Sequence, residues 1–313
     1  MPRVLYLDTS SNAEGDFYRE RRNKIRGVTC VPLYKRKGII NKALLGAGYY
    51  FFAPLLYLIY GDWKKHLDEY DIFIVSSRRA AKHAVKFIKR KTCKRVIVWY
   101  WNIVSKRELP PEYCRRNGCE TWSFDKEDCG RYGMKFGDTY YFDVSDMQAS
   151  CENRTDLFYV GVDKKGRGRL LKRLEKNLEA SGLKSGFHLV KNPEYAGDGA
   201  YPYSDRLEYG EVMKGILGSR AILDLTQDGQ SGLTLRPLEA LTLKKKLVTN
   251  NPDIVDSYAY DDKNTYIIDE AGLEGLSGFL KQPYRGGNEE KAGFYTFENW
   301  LERICGGIEA YPV

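Results

Sequence analysis

The stretch of this chain richest in chemistry is Ser219 to Asn251, SRAILDLTQDGQSGLTLRPLEALTLKKKLVTNN. A β-rich run, Ala221 to Leu225, ends in a loop that carries Gln230, and helical patterning opens near Ser231-Gly232-Leu233-Thr234. Backbone N–H groups at a helix start lack intrahelical partners and sit at the positive end of the helix dipole, which suits a diphosphate. Gly232 lets the backbone come close, while Ser231 and Thr234 can add hydroxyl donors. Glu239, five residues past Thr234, can face the same space and accept two hydrogen bonds from ribose hydroxyls. The bland alternative for Glu239 is an ordinary surface carboxylate of a helix. Lys244, Lys245 and Lys246 fit a complement to the helix C-terminus better than phosphate ligands.

The elements that must position these residues alternate as strand-like and helical runs almost from end to end, the pattern of βα units and a parallel sheet. Val4 to Asp8 reads as the first strand, followed by a small polar loop and a charged helix through Arg26. Further strands are expected at Val28 to Leu33, Ile72 to Ser76, Arg95 to Trp101, Glu120 to Phe124 and Thr139 to Phe142, with a basic helix from Arg79 to Lys91. A second series opens at Asp156 to Gly161 with a charged helix from about Gly168 to Ala180. It continues through Phe187 to Val190, Ala221 to Leu225, Lys246 to Thr249 and Thr265 to Ile268. The expected class is α/β, two Rossmann-like domains facing a cleft. Residues 1–150 form the first and 151–313 the second, joined by a polar linker near 143–155, and a last helix, about Phe297 to Cys305, packs back on the first.

Charge divides the same way. Of the net +8, residues 1–116 hold 25 Lys/Arg against 10 Asp/Glu, so the rest is acidic. A basic half suits a partner dense in negative charge, whether nucleic acid, anionic lipid or a phosphorylated substrate. Hydrophobic residues at 42% and charged residues at 29% exclude a disordered chain. Seven cysteines, odd in number and scattered behind no signal-like start, read as reduced cytosolic thiols. Cys114, Cys119 and Cys129 match no standard zinc spacing, and three histidines exclude a histidine-rich metal centre. Ala43 to Tyr60 is 18 residues without a charge, but Gly46, Gly48 and Pro54 interrupt it inside a βα domain. A buried helix or a surface that dips into lipid fits better than a span.

The pattern QSGLTLRPLEA followed by KKLVTNN resembles the nucleotide-sugar site of GT-B glycosyltransferases, particularly those of bacterial lipopolysaccharide and capsule biosynthesis. The resemblance implies that Glu239 holds the ribose. A second anchor, Phe158 to Arg167 (FYVGVDKKGR), is similar to the first strand and basic loop of the donor domain, and implies that Gly161, Lys164 and Arg167 meet the diphosphate. Val98 to Asn102 and Trp122 to Asp128 resemble the acceptor half more weakly. One departure stands out: retaining members carry an acid eight positions before the ribose glutamate, where this chain has Ser231, so the stereochemistry stays open.

The expected activity is transfer of a sugar from a UDP-, GDP- or CDP-sugar to a saccharide or lipid-linked acceptor, with no metal and no other cofactor. Arg167 would stabilise the leaving diphosphate. Ligands gather outside the carboxyl ends of parallel strands, so a base for an inverting route is sought after the first strand. Asp16 is the first choice and Glu14 the next, although acids also favour that position simply as helix starters. The expected place is the cytoplasmic face of the plasma membrane, held by anionic lipid, with no nucleic-acid partner. The alternative is a nucleic-acid-binding protein using the basic run Arg79 to Lys91 and Arg95.

Overall fold

The computed structural model describes residues 2–10, 13–35, 55–142, 144, 155–164, 166–226, 232–268 and 273–307. Residues up to Asp138, with the segment from Trp300, cluster as one compact unit, and Thr139 to Asn299 as the other.

The first unit carries β1 (Val4–Asp8), α1 (Ala13–Asn23), β2 (Val28–Pro32), α2 (Leu56–Ile59), β3 (Ile72–Ser76) and α3 (Lys82–Lys91). Then come β4 (Arg95–Tyr100), α4 (Pro111–Arg116), β5 (Glu120–Ser123), α5 (Lys126–Tyr132) and β6 (Lys135–Phe136). The strands form one parallel sheet in the order β2-β1-β3-β4-β5-β6. Its central strands are apolar along nearly their whole length because helices cover both faces of such a sheet, and Leu5, Leu7, Phe73 to Val75 and Ile97 to Tyr100 are fully buried. Turn chemistry sets the boundaries. Asp125 caps α5 by accepting from the Asp128 N–H at 2.9 Å, and Gly133, at φ 62°, ends it in the left-handed conformation that favours glycine.

Thr139 to Phe142, expected as a strand of this sheet, is not one. The sixth strand is Lys135–Phe136, paired to β5, and Tyr141 makes only an isolated bridge to Thr296. The aromatic run that suggested β structure is instead a packing cluster of the second unit. Tyr140 and Phe142 lie against Phe297, with ring centroids 4.9 and 5.2 Å away. Periodicity of two cannot distinguish alternate burial in a strand from alternate burial in an irregular segment. None of the six described cysteines is joined to another described cysteine in a disulfide.

The second unit runs β7 (Thr155–Val162), α6 (Arg167–Ala180), β8 (Ser185–Val190), β9 (Tyr203–Ser204), α7 (Tyr209–Leu217), β10 (Ser219–Asp224), α8 (Leu235–Thr242), β11 (Lys246–Thr249), β12 (Thr265–Ile267), α9 (Leu276–Lys281) and α10 (Glu289–Phe294). Its sheet is also parallel, in the order β12-β11-β10-β7-β8-β9. Gly215 lets α7 lie on the sheet, since a Cβ there would stand 2.3 Å from the Phe158 ring.

The last helix, α11 (Phe297–Gly306), belongs to the first unit from Trp300 onward. Trp300 is fully buried and meets Trp99 edge-on, centroids 4.9 Å apart. Arg95 ends the helix: it donates to the carbonyls of Ile304, at 3.0 Å, and Cys305 while forking onto Glu120. Burial opposes ionisation of Glu120, but hydrogen bonds from Arg95 and Trp122 and the charges of Arg95 and Lys135 outweigh it and hold the carboxyl at about 2. Trp300→Ala should therefore cost about 3 to 5 kcal/mol of stability, the usual loss for emptying a buried tryptophan site. Urea unfolding of the two forms measures it, and a cost below about 1 kcal/mol would mean that α11 contributes no core.

Candidate functional site

In the second unit, chain connections leave β7 toward β8 on one side and β10 toward β11 on the other. Open parallel sheets bind ligands outside the carboxyl ends of the strands at such a reversal point. The residues ending the two strands are Gly161-Val162 and Asp224.

Gly161 is required there by its own strand. Tyr159, two residues earlier on the same face, leans toward the carboxyl end, and a Cβ on Gly161 would stand 2.4 Å from the phenol oxygen. Among the described residues that hydroxyl is buried without a hydrogen-bond partner, as are Oδ1 of Asp163 and Nε of Arg167. Burial pushes the Tyr159 phenol upward in pKa, and it feels the charges of Arg167, Asp224, Arg236 and Asp163. An unsatisfied buried polar group costs about 1 to 3 kcal/mol, so three together mark a place built for polar company.

Arg167 opens α6. Its guanidinium donates to the carbonyl of Val162 at 2.8 Å and to that of Leu225, tying the end of β7 to the end of β10. Gly166 precedes it at φ 80°, with no side chain capping the helix and no acid in the first turn. The helix therefore keeps its positive end. Beside it, burial and then the charge of Arg167 lower the pKa of Lys164. Gly161, Lys164 and Arg167 are thus brought together by one strand–loop–helix turn.

Across the reversal point, Asp224 is 2% exposed and organises the start of α8. Thr234 donates to its Oδ1 at 2.8 Å and Thr249 to its Oδ2 at 3.2 Å. The Thr234 oxygen also accepts from the Arg236 N–H at 3.2 Å, capping the helix. Thr234 is therefore a brace, since its proton is committed to Asp224 and not held out to a diphosphate. The sequence marks Asp224 only as a lone acid within the apolar run AILDL. Tyr159 and Asp163 carry no comparable signal, because what their oxygens meet depends on neighbours distant in the chain; Oδ2 of Asp163, for one, accepts from the Tyr203 hydroxyl at 2.7 Å.

Glu239 is fully buried and pairs with Arg236 one turn earlier on α8. It is no surface carboxylate. Leu233 is buried and Gly232 adjoins the cap, while Gln230 and Ser231 lie outside the described residues. In the first unit Asp8 is 4% exposed, accepts from the Ser10 N–H at 3.0 Å and pairs with Arg19, whose other amine holds Asp16. Asp16 is thus one end of a three-residue ionic clamp rather than an isolated base. Glu14 lies in α1, its side chain outside the described residues. Among the described residues no three His, Cys, Asp or Glu side chains cluster as metal ligands.

Burial is the largest influence on Asp224 and raises its pKa, against the threonine hydrogen bonds and the charges of Arg236 and Arg167. An acid with a raised folded pKa holds its proton longer in the folded state, so the stability it contributes falls as pH climbs from the unfolded value to the folded one. Asp224→Asn keeps a carbonyl for Thr234 and removes the titration. Chemical unfolding from acid to neutral pH should show the wild type losing stability relative to this variant as pH rises. Parallel profiles would show that Asp224 does not titrate differently on folding.

No protein-family model matches the chain, and no curated protein matches it in sequence. Solved structures do share its architecture. The T4 phage β-glucosyltransferase is 13% identical, with 98% of this chain and 99% of that one covered at a TM-score of 0.55. Sucrose-phosphate synthase from Thermosynechococcus elongatus is 8% identical over 97% of both chains, with a TM-score of 0.54. A glycosyltransferase from Rickettsia africae ESF-5 is 9% identical over 97% of this chain and 96% of that one, also at 0.54. At these identities the likeness is one of fold, and the fold is GT-B: an α/β chain of two Rossmann-like units.

Proposed function

We propose that the chain is a glycosyltransferase that takes its sugar from a nucleotide-sugar and passes it to a saccharide or lipid-linked acceptor in cell-surface polysaccharide synthesis. The observation that carries this is the reversal point between β7 and β10, where Lys164, Arg167 and the starts of α6 and α8 are brought to one end of the sheet. Cations and helix N-termini there can hold a diphosphate and stabilise the charge that grows on it as the glycosidic bond breaks. No metal is needed for that step in this scheme. Glu239 would take the ribose, with Arg236 fixing its carboxylate. Asp16 would serve as base to the acceptor hydroxyl once Arg19 shares its charge with Asp8, with Glu14 as the alternative.

A uridine nucleotide is the donor to try first. A DNA-modifying β-glucosyltransferase of the same fold was solved with uridine diphosphoglucose, and a Staphylococcus aureus protein, MnaA, with UDP, at TM-scores of 0.51 and 0.50. The basic first domain and the uncharged run Ala43 to Tyr60, whose residues 43–54 lie outside the described ones, would place the enzyme at the inner face of the plasma membrane, against anionic lipid.

A thermal-shift panel of UDP, GDP and CDP, their sugars, and oligonucleotides tests the assignment. One nucleotide family should raise the melting temperature, with no response to oligonucleotides. Glu239→Ala should weaken binding of that nucleotide by about 1.5 to 3 kcal/mol, the worth of charge-assisted hydrogen bonds. Glu239→Gln should recover part of it. Calorimetry reads both, and unchanged affinity in Glu239→Ala would remove α8 as the ribose site.

A further inference from the structure

The first unit has a surface concavity of about 610 Å3 whose lining combines Tyr57, Leu67 and Phe87 with Lys64, Lys65 and Lys91, and Asp68 as a single carboxylate. Its lining comes from the segment between β2 and β3 and from α3: Leu67 and Asp68 precede β3 and Lys91 ends the helix that leads into β4, while the stretch that carries Tyr57, Lys64 and Lys65 is tied to Leu33, just past β2, through the Gly61 N–H and the Trp63 indole.

Charge there is crowded and incompletely answered. Burial, followed by the charges of Lys35 and Lys65, lowers the pKa of Lys64, and Asp62 opposes them only in part. Asp62 stands 4.0 Å from Lys35 and 3.8 Å from Lys65, at the outer limit of ion pairing. The Lys64 ammonium rests 4.1 Å from the Tyr57 ring centroid and donates to the Tyr57 carbonyl, which keeps the cation on an aromatic wall. Apolar surface adjoins it: on α2, Tyr57 is 45% and Leu58 60% exposed, at the end of the uncharged run that starts at Ala43.

Extending the membrane-surface reading above, on which it rests, we propose that this concavity binds the headgroup of a membrane lipid ending in a phosphomonoester, with Tyr57 and Leu58 in the lipid interface. Three lysines line the concavity against one aspartate, and Lys35 and Asp62 beside them add one charge of each sign, so the surplus is two positive charges, and a phosphomonoester near neutral pH carries about −1.5 to −2. A phosphodiester offers half of that. Nucleic acid, a chain of phosphodiesters, gives no use to an exposed leucine beside an uncharged segment. None of its lining residues is among those assigned to sugar transfer, so the site tethers the enzyme without holding the acceptor's reacting hydroxyl.

The test is flotation of the full chain with phosphatidylcholine vesicles carrying phosphatidic acid, or phosphatidylglycerol matched to the same surface charge. Phosphatidic acid vesicles should bind more protein. Lys64→Gln/Lys65→Gln/Lys91→Gln should lower that binding at least about tenfold, given roughly 1 kcal/mol per surface cation, whereas Lys172→Gln/Lys176→Gln/Lys281→Gln should not. Tyr57→Ser/Leu58→Ser should remove the binding that survives high salt. Equal partition onto the two vesicle types, or equal loss in both lysine triples, would overturn the proposal. So would stabilisation by inorganic phosphate that the first triple abolishes without change in flotation, which would make the site one for a soluble anion. Tighter binding to a single-stranded oligonucleotide, lost in the same triple, would assign the face to nucleic acid. The nucleotide panel run on these variants keeps the two readings separate: its failure in every form would sink the donor site and leave the lipid result standing, while its persistence in the triple shows the fold intact.

Discussion

The second unit depends on a carboxylate buried at the end of a strand. Asp224 cannot stay there unless its oxygens are met, and Thr234 and Thr249 meet them from the start of α8 and the end of β11. Those two hydrogen bonds fix where the helix begins relative to the sheet, and the Thr234 oxygen, turned by the same contact, caps it. The position of Glu239 follows, one and a half turns further on and buried against Arg236. A helix start aimed at the reversal point is thus a consequence of solving the desolvation of one acid.

Arg167 solves a related problem from the opposite side. Strand ends leave carbonyls without ladder partners, and the guanidinium fork satisfies those of Val162 and Leu225 together. Holding the two strand ends in place uses part of its donor set and leaves Nε, among the described residues, buried without a partner. Satisfied backbone and unsatisfied side chains in the same few residues are what a stable frame around a polar ligand requires.

The first unit manages charge differently. Arg19 joins Asp8 to Asp16, and Arg95 joins Glu120 to the end of α11; in each, one planar cation serves two partners with its several N–H groups. Around Lys64 no comparable pairing exists among the described ion pairs, which are long and exposed. Part of the cationic charge of the first half is thus paired at its clamps, and a small surplus of it stands at the concavity.

The sequence by itself determined the architecture, because a parallel sheet covered on both faces needs near-continuous apolar strands, and those are visible one residue at a time. β1, β3 and β11 fall where the apolar runs place them, and α3, α6 and α11 differ from the expected helices by a few residues at most. It also placed Gly161, Lys164 and Arg167 in one strand–loop–helix turn and Thr234 at a helix start, since such turns are local and their residues are neighbours in the chain. The tertiary structure alone decided what those side chains do. Thr234 turned from phosphate donor to cap because its partner is Asp224, ten residues back. Asp16 became part of a clamp because Arg19 reaches Asp8 as well. Thr139 to Phe142 lies outside the sheet, with Tyr140 and Phe142 packed on Phe297, more than 150 residues on. Burial and hydrogen bonding join residues through space, and no local pattern of types can state which partner a polar group will find.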